Sequence, residues 1–371
     1  MTFRTITAER PLRLALVGAG GMGRDWAHTI HTDPATELVA IADLDPTAAH
    51  NAATETGLPD LPTGTDALHL ARHTDADAIV NATIPEAHHP VTIAALTAGL
   101  PVLGEKPAAA TVTEALALAA AAEHTGELFM VSQSRRYHHA LHQTRQHLTD
   151  LGPVGICAVD FFKAPHFGGF RDQMNSPLLL DMAIHQFDMA RFLLDADPIA
   201  VTCEEYNPPW SWYTGDAAAT ATFTMDSGAR FTFNGSWCSP GAETSWNGSW
   251  RLSAQHGTVL WDGETPPTTD PDRPAPTTPD PGNGIAGALR EFTTALRTGT
   301  EPSGSVRTNI MSLAMVEAAI RSAALGTRIA IDDVLDQSHR TALAAEADPG
   351  VLATMKSWPS AREALTRKDT P

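Results

Sequence analysis

The segment 176–194, SPLLLDMAIHQFDMARFLL, is mostly apolar, but it carries two carboxylates and an imidazole at spacings of four and three residues. If the segment is a helix, Asp181, His185 and Asp188 share one of its faces. An imidazole can accept a proton near neutral pH, and a neighbouring carboxylate can orient it or hold a hydroxyl group. The spacing also fits an alternative without chemistry, in which His185 is exposed and Asp188 pairs with an arginine such as Arg191.

A second group of residues suited to chemistry lies near the start of the chain, in LALVGAGGMGRDWA. Gly18, Gly20 and Gly23 have the G-x-G-x-x-G spacing, with a strand-like run before them and a helix-like run after them. Gly18 allows a tight turn, Gly20 lets a pyrophosphate approach the backbone, and Gly23 lets the helix pack closely on the strand. The amides of Gly21 and Met22 then point toward phosphate from a helix N-terminus, so this turn predicts a dinucleotide site.

Asp43 supports that prediction, because it ends the next strand-like run, 20 residues after Gly23. A carboxylate at this place binds the ribose hydroxyls of adenosine and repels a 2′-phosphate. The sequence therefore predicts NAD as the cofactor, in preference to NADP. The alternatives are that Asp43 only begins the turn DLDP, or that Asp45 shares its role.

The elements that must position these residues alternate between strand and helix signals in the first part of the chain. Near-continuous apolar runs separated by amphipathic helices are typical of a parallel sheet with helices on both faces. We therefore predict an α/β fold whose N-terminal domain, residues 1–134, is a Rossmann-type doubly wound parallel sheet. The predicted strands are 12–20, 37–45, 77–85, 101–107 and 127–134.

The pattern changes after residue 135, where strands follow one another with few helices between them and RFTFNGSW alternates apolar and polar residues. Such alternation is typical of a sheet with one covered face. We predict a C-terminal α+β domain, residues 135–371, with a large open, mostly antiparallel sheet. Within it, residues 266–281 are rich in proline and predict an extended, mobile loop.

Bulk properties exclude several classes of partner. The chain has 371 residues, of which 43% are hydrophobic, and its formal net charge of −18 disfavours binding to nucleic acid or anionic lipid. No apolar run reaches the length of a membrane span, and the first residues lack the apolar core of a signal peptide. We therefore expect a cytoplasmic protein without nucleic-acid or membrane partners. Three widely separated cysteines form neither a disulfide framework nor a C-x-x-C metal pair: Cys157, Cys203 and Cys238.

The segment NATIPEAHHPVTIAALTAGLPVLGEKPAAAT resembles the glucose–fructose oxidoreductase and inositol dehydrogenase family, Gfo/Idh/MocA. Residues 105–107 are the family's E-K-P motif, and 83–88 are a variant of its T-P-x-x-x-H motif with Ile84 inserted. The opening segment resembles the family's D-x-x-x-H-x-x-D helix, and the resemblance spans about 12–335 in the family's order. It departs in MNSP before that helix, where the family often has glycines, and in the unusual APHFGGFRDQ at 164–173.

The resemblance implies where the opening segment acts. In this fold, the helix of the second domain faces the carboxyl edge of the first sheet, where ligands bind. Lys106, at the end of the fourth predicted strand, would then meet Asp181 and His185. We assign His185 as the base that takes a hydroxyl proton, Lys106 as a donor to the reacting oxygen, and Asp181 as a group that holds a neighbouring hydroxyl or orients the other two. A lysine with a lowered pKa is the alternative base.

Further residues are predicted to contact the cofactor or the substrate. Glu105 lies at the nicotinamide ribose by resemblance, and His88 either helps to close the pocket or is simply a residue of a helix start. The predicted cofactor contacts beyond the glycine turn and Asp43 are Thr83, His88, Glu105 and Lys106. A glycine-containing loop beside a catalytic helix is a usual place for specificity. The predicted substrate contacts are Lys106, His166, Arg171, Asn175, Asp181 and His185.

Several other polar and aromatic residues have ordinary explanations. Arg135 and Arg136 fit either ligand contacts or interdomain ion pairs. Most tryptophans of the second domain fit sheet faces or a subunit interface, and Trp210 and Trp212 are the best candidates for stacking on a sugar ring. The histidine-rich helix after Tyr137 lacks a carboxylate or cysteine to complete a metal site, so no metal is expected.

These residues together predict an NAD-dependent oxidoreductase that transfers a hydride between nicotinamide and a secondary hydroxyl or ketone of a sugar, polyol or cyclitol. One alternative is a glycosidase or lyase that keeps NAD bound and uses a transient oxidation. Another is a non-catalytic sensor of NAD or sugar, which would not need to retain Lys106, Asp181 and His185. Open sheets of this type usually pack against another copy, so a homodimer or homotetramer is expected.

Overall fold

In the computed structural model of the chain, which describes residues 2–366, the strands form a 6-stranded and an 8-stranded sheet. The first sheet contains β1 (Leu12–Val17), β2 (Thr36–Ala42), β3 (Thr63–Gly64), β4 (Ala78–Asn81), β5 (Val102–Glu105) and β6 (Phe129–Ser132). The second contains β7 (Val154–Phe162), β8 (Pro198–Tyr206), β9 (Ala218–Met225), β10 (Arg230–Ser236), β11 (Ser249–Ala254), β12 (Gly257–Trp261), β13 (Thr268–Asp270) and β14 (Ile329–Ala330).

The α-helices surround these sheets in chain order. They are α1 (Gly21–Thr32), α2 (Pro46–Glu55), α3 (Ala67–His73), α4 (Pro85–Thr97), α5 (Val112–Thr125), α6 (His139–Leu151), α7 (Ile184–Leu194), α8 (Gly284–Thr298), α9 (Val306–Leu325), α10 (Ile331–Ala345), α11 (Pro349–Ser357) and α12 (Ala361–Thr366). None of the helices in the described part of the chain is both long and apolar enough to cross a membrane.

The first sheet is parallel throughout and has the order β3-β2-β1-β4-β5-β6. This confirms the predicted Rossmann-type sheet. The order reverses between β1 and β4, and in open α/β sheets such a reversal opens a crevice at the carboxyl ends of the strands. The short strand β3 was not predicted, so the strand that ends at Glu105 is the fifth along the chain and not the fourth.

Local sequence explains where the helices of this sheet begin. Asp45, Asp66 and Thr111 each accept a hydrogen bond from a backbone amide in the first turn of α2, α3 and α5. Short polar side chains are favoured there because they satisfy amides that have no partner within the helix. Helix α1 differs, because its N-cap is Gly20, which has no side chain to cap the first turn.

The second sheet has the order β13-β12-β11-β7-β10-β9-β8-β14. Among the described strands of this sheet, only β7 and β10 pair in parallel, and the other pairs are antiparallel, which confirms a large, mostly antiparallel sheet with open edges. One face carries Phe231 and Phe233, both buried, and Phe187 of α7 packs its ring against theirs. The side chains of Arg230 and Asn234, which alternate with these phenylalanines, are exposed.

The segment 176–194 is not one regular helix. Residues Leu178–Ala183 form a π-helical turn, which continues directly into α7. A π turn has i→i+5 hydrogen bonds, so it contains more residues than an α-helical turn. The prediction that Asp181 and His185 share a face assumed α-helical spacing, and that assumption fails at Asp181, which lies in the π turn.

The contacts divide the chain into two compact units that are discontinuous in sequence. One unit runs to Ser134 and also includes Gly284–Ile310 and the described residues from Asp336 onward; the other contains Arg135–Asn283 and Met311–Leu335. The single division predicted after residue 134 had assigned everything beyond it to the second domain. The difference arises because helices such as α11 pack on the first unit, where α11 contacts α5.

The predicted proline-rich loop also differs in part from the structure. Thr268–Asp270 form β13, which pairs with β12 at one edge of the second sheet. The two threonines favour an extended strand, and Pro271 follows directly and cannot donate a further ladder hydrogen bond. The predicted loop therefore includes a short edge strand.

Candidate active site

The glycine turn lies between β1 and α1, at the carboxyl end of the central strand pair. Gly18 has φ of +96°, a left-handed value that favours glycine, and a Cβ at this position would lie 2.6 Å from the carbonyl oxygen of Ala82 after β4. A Cβ on Gly23 would lie 2.0 Å from the Gly18 carbonyl oxygen. These two positions therefore require glycine for the reasons inferred from the motif.

The same turn has the features that a pyrophosphate needs. A Cβ built on Gly20 or Gly21 would meet no atom within 4 Å, so the space beside the backbone is open at these two residues. The amides of Gly21 and Met22 begin α1 without a capping side chain, and the N-terminus of a helix attracts negative charge. The residues present therefore fit a dinucleotide.

Asp43 follows β2 and is held by backbone amides on both of its carboxylate oxygens. One oxygen accepts a hydrogen bond from the Ala19 amide at 2.7 Å, and the other accepts from the Asp45 amide at 2.8 Å. Asp43 thus ties the glycine turn to the end of β2, a structural role that sequence reasoning did not assign. Its side chain is half-buried, so the carboxylate also keeps an accessible surface. Asp45 caps α2 instead.

His88 joins the loops that follow β4 and β5. Its Nδ1 lies 2.6 Å from the carbonyl oxygen of Pro107, and its Nε2 lies 3.0 Å from that of Thr83. Burial lowers the pKa of His88 below its usual value, against the opposite effect of the two carbonyl groups. The hydroxyl of Thr83 donates to the side-chain oxygen of Asn81 at 2.7 Å. These contacts indicate that His88 holds the two loops together. It is therefore more than an ordinary residue of the first turn of α4.

Glu105 and Lys106 lie at the end of β5, next to β4 in the sheet. The Trp26 indole donates to one oxygen of Glu105 at 2.9 Å, and the Lys106 amide donates to the other at 3.2 Å. Burial raises the pKa of Glu105, while the hydrogen bond from Trp26 and the nearby Lys106 charge lower it. The glycine turn, Thr83, Glu105 and Lys106 therefore all belong to the carboxyl edge of one sheet.

In the second unit, His185 lies in the first turn of α7 and is buried. Asp188, one turn further on, accepts hydrogen bonds from Arg136 at 2.6 and 2.7 Å and from the Ser312 hydroxyl at 2.7 Å. These contacts give Asp188 the anchoring role of the alternative without chemistry: Arg136 is its close partner, and the Arg191 guanidinium group also lies 4.0 Å from its carboxylate. Arg136 and Asp188 therefore form this ion pair within one unit.

Asp181 is paired with a residue that was predicted to contact the substrate. The Arg171 Nε lies 2.6 Å from an Asp181 oxygen, and the guanidinium group lies 4.8 and 5.4 Å from the ring centroids of Phe170 and Phe167. Aromatic faces attract cations, so the two rings hold Arg171 in position. Arg171 and Asp181 are thus brought together, and Asp181 has a fixed orientation.

The two remaining predicted substrate residues are on the surface of this unit. His166 stacks on Trp212, with ring centroids 3.8 Å apart. Asn175 is exposed, and its carbonyl oxygen accepts the Asp216 amide at 2.8 Å. Trp212 therefore has a partner within the protein. Among the described residues, no group of three or more His, Cys, Asp or Glu side chains could hold a metal ion.

Two residues of the first unit were missed by sequence reasoning. Asn81 orients Thr83, and its position as a polar residue at the end of an apolar strand was a visible signal. Trp26 reaches Glu105 over a separation of 79 residues. A tryptophan in the first helix is visible in the sequence, but helical spacing does not show which strand end it contacts.

Two family models match the chain. Residues 12–133 match the model described as the oxidoreductase family, NAD-binding Rossmann fold, and residues 157–260 match the GFO/IDH/MocA C-terminal domain. The fold and the glycine turn thus define an NAD-binding Rossmann oxidoreductase. The two matches cover more than half of the chain in the family's order, and the chain belongs to the Gfo/Idh/MocA family.

The chain is also similar to individual dehydrogenases in sequence and to a solved structure in fold. Inositol 2-dehydrogenase 4 of Saccharopolyspora erythraea is 35% identical over 201 residues, which are 53% of this chain and 57% of that protein. D-apiose dehydrogenase of Paraburkholderia graminis is 28% identical over 351 residues, which are 88% of this chain and 91% of that protein. The crystal structure of an oxidoreductase from Agrobacterium radiobacter in complex with NAD+, L-tartaric acid and magnesium has a TM-score of 0.77 and 21% identity, and the match covers 87% of this chain and 99% of that one. This last likeness shows the fold.

Proposed function

We propose that the protein is an NAD-dependent dehydrogenase that oxidises a secondary hydroxyl of a sugar, polyol or cyclitol, or reduces the matching ketone. The observation that supports this most strongly is the carboxyl edge of the first sheet. There the glycine turn, Thr83 and Lys106 follow β1, β4 and β5, three adjacent strands beside the reversal of strand order. The substrate class is taken from the relatives, which are named as dehydrogenases of inositol and D-apiose.

The residues proposed to hold the cofactor belong to that edge. The amides of Gly21 and Met22 would bind the pyrophosphate, and Asp43 would bind the adenosine ribose and favour NAD over NADP, because a carboxylate repels a 2′-phosphate. Thr83 and Glu105 would contact the nicotinamide end. The cofactor, when bound, supplies the acceptor for a hydride.

The chain's own residues are proposed to handle the proton and the charge. His185 takes the proton from the substrate hydroxyl, and Lys106 donates a hydrogen bond to the same oxygen, which stabilises negative charge as the proton leaves. Asp181, fixed by Arg171, holds a neighbouring hydroxyl group. A His185→Asn variant distinguishes the two candidate bases. It loses turnover if His185 is the base, and it keeps most of the wild-type turnover if Lys106 is the base.

The test is NADH formation with a panel of inositols and sugars. Lys106→Ala and His185→Ala should each lower turnover by about two to four orders of magnitude, because each removes a group that acts in the transition state. NAD affinity, measured by fluorescence titration, should change much less. Lys356→Ala and His139→Ala remove the same side chains from exposed positions and serve as matched controls. Equal turnover in all four variants would contradict the proposal.

The open face of the second sheet supports a proposal about assembly. Ile156 on β7 and Leu260 on β12 are large apolar side chains exposed on strands of this sheet. Exposed apolar surface on a sheet is commonly covered by a partner. We propose a homodimer or homotetramer that uses this face; light scattering that gives the mass of one chain would contradict it.

A further inference from the structure

Two aromatic side chains of the second unit are exposed as a stacked pair. The rings of Phe167 and Trp246 have centroids 6.3 Å apart and an interplanar angle of 25°. Phe167 is 57% exposed and Trp246 is 38% exposed, whereas the other aromatic rings that they contact are buried. Single exposed aromatics are common, but large rings grouped at the surface mark a place where something binds.

The pair rests on a rigid base. Trp237 lies 6.4 Å from Phe167, and Phe161 lies 6.5 Å from Trp246, measured between ring centroids. Phe161 and Trp237 also contact each other, at 6.2 Å. Phe161 lies at the carboxyl end of β7 and Trp237 directly follows β10, and these two strands are the parallel pair in the middle of the second sheet. The exposed rings are therefore held by the packed core, so their positions are set before any ligand arrives.

Contacts within the same unit connect the aromatic pair to the neighbourhood of His185 and Asp181, the two proposed catalytic residues of this unit. The side-chain nitrogen of Gln186 donates to the Trp246 carbonyl oxygen at 3.3 Å, and Gln186 directly follows His185. On the other side, the guanidinium group of Arg171 lies 5.4 Å from the Phe167 ring and is paired with Asp181. The aromatic pair thus adjoins the helix segment that carries the proposed chemistry.

Polar groups border the pair. Gln186 is fully buried, and with its nitrogen on the Trp246 carbonyl, its side-chain oxygen has no hydrogen-bond partner among the described residues. The indole N–H of buried Trp237 also has no partner within the described part of the chain. Lys163 lies over the Trp246 ring, 4.9 Å from its centroid, and its ammonium group pairs with Glu243 at 3.0 Å.

We propose that Phe167 and Trp246 form the platform on which the ring of the substrate stacks through its C–H face. This inference rests on the proposed function, and it specifies a ring substrate over an open-chain polyol. One face of a pyranose or cyclitol with mainly equatorial hydroxyls presents only C–H groups, whose hydrogens carry slight positive charge. The face of an aromatic ring is negative, so the two surfaces attract.

The test compares ring and open-chain probes that have the same numbers of carbon and oxygen atoms. D-glucose and myo-inositol are the ring probes, and D-glucitol is the open-chain probe, each titrated by calorimetry and saturation-transfer NMR into the NADH-saturated protein, in which their hydroxyls cannot be oxidised. Trp246→Ala and Phe167→Ala should each weaken binding of the ring probe that binds best by about 3- to 10-fold. Binding of D-glucitol and of NAD should change by less than about twofold, because neither uses the platform. Trp246→Phe, which keeps an aromatic face, should restore most of the affinity.

Trp210→Ala is the matched control, because Trp210 is also an exposed tryptophan of this unit but is not part of the stacked pair. The proposal is overturned if no ring probe binds the wild-type protein, if ring and open-chain probes weaken equally, or if Trp210→Ala has the larger effect. It is also overturned if Phe167→Ala changes the mass in light scattering but not probe binding, since the pair would then be a subunit contact. Binding that depends on Trp246 without NADH formation from any sugar or inositol would contradict the dehydrogenase and leave the platform intact.

Discussion

The anchor of the helix that carries His185 can be tested by removing a single carboxylate. Asp188 is 1% exposed and accepts three hydrogen bonds, two from Arg136 and one from Ser312, all between 2.6 and 2.7 Å. Arg136 is itself only 7% exposed. In an Asp188→Ala variant, the guanidinium group remains buried without its counter-charge, and water cannot replace the carboxylate without opening the core.

The expected cost follows from this burial. Removal of one partner from a buried ion pair destabilises proteins by about 3–5 kcal/mol, because the remaining charge is left uncompensated. When both charges are replaced by apolar groups of similar size, the cost is much smaller. The free energy of unfolding should therefore fall by about 3–5 kcal/mol in Asp188→Ala and by clearly less in the double variant Arg136→Met/Asp188→Leu.

Urea unfolding followed by tryptophan fluorescence measures this difference, since three buried tryptophans report on the same unit: Trp237, Trp250 and Trp261. Asp195→Asn is the control, because Asp195 follows the same helix and pairs with Arg145 at the surface, where ion pairs contribute at most about 1 kcal/mol. A loss below about 1 kcal/mol in Asp188→Ala, or a double variant at least as unstable as the single one, would refute the reasoning.

Two further predictions concern the cofactor and pH. Asp43→Arg should raise the ratio of kcat/KM with NADP to that with NAD by about 10-fold or more, because it replaces a repelling carboxylate by a cation near the 2′-phosphate. Asp43→Asn is the control: it removes the charge and keeps one side-chain oxygen, which can accept from only one of the Ala19 and Asp45 amides. An unchanged ratio in Asp43→Arg would contradict the ribose role. Burial raises the pKa of Glu205 from 4.5 to about 7, so the folded state binds this proton more tightly than the unfolded state, and stability should fall as pH rises from 4.5 through 7. Glu205→Gln keeps an acceptor for the Ser176 hydroxyl. Relative to the wild type, its free energy of unfolding should be higher by about 1 kcal/mol at alkaline pH, after allowance for screening, and no higher below pH 4.5. An equal difference in Tm between variant and wild type at both pH values would contradict this.

Much of the first unit could be predicted because its signals are local. The glycine spacing, the apolar strands and the acidic residue after β2 lie within short stretches, and each fixes a turn or a strand end through backbone geometry alone. Asp43 shows the limit of such signals. Its place after the strand was visible, but its hydrogen bond to the Ala19 amide depends on how β1 and β2 lie side by side.

Features of the second unit were harder to predict because they depend on packing between distant segments. The segment from Leu178 to Ala183 has the composition of an ordinary helix, and its π turn is not encoded in the apolar periodicity. Arg171 was predicted to contact substrate, but its position ten residues before Asp181 does not show that the two side chains form an ion pair. Arg136 and Asp188, 52 residues apart, meet only when the segment that leads into α6 packs beside α7.

The sequence by itself determined the kind of protein: periodicity selected a parallel sheet followed by a mostly antiparallel one, and glycine and motif spacing selected the dinucleotide turn and the family. Only the tertiary structure decided which polar groups hold one another and which aromatic rings remain exposed. The sequence alone does not show which of Trp237, Trp246 and Trp261 is exposed. Only the packing of the second sheet leaves Trp246 beside Phe167 at the surface. The reason is physical: spacing along the chain sets local geometry, whereas burial and pairing depend on which segments the fold brings together.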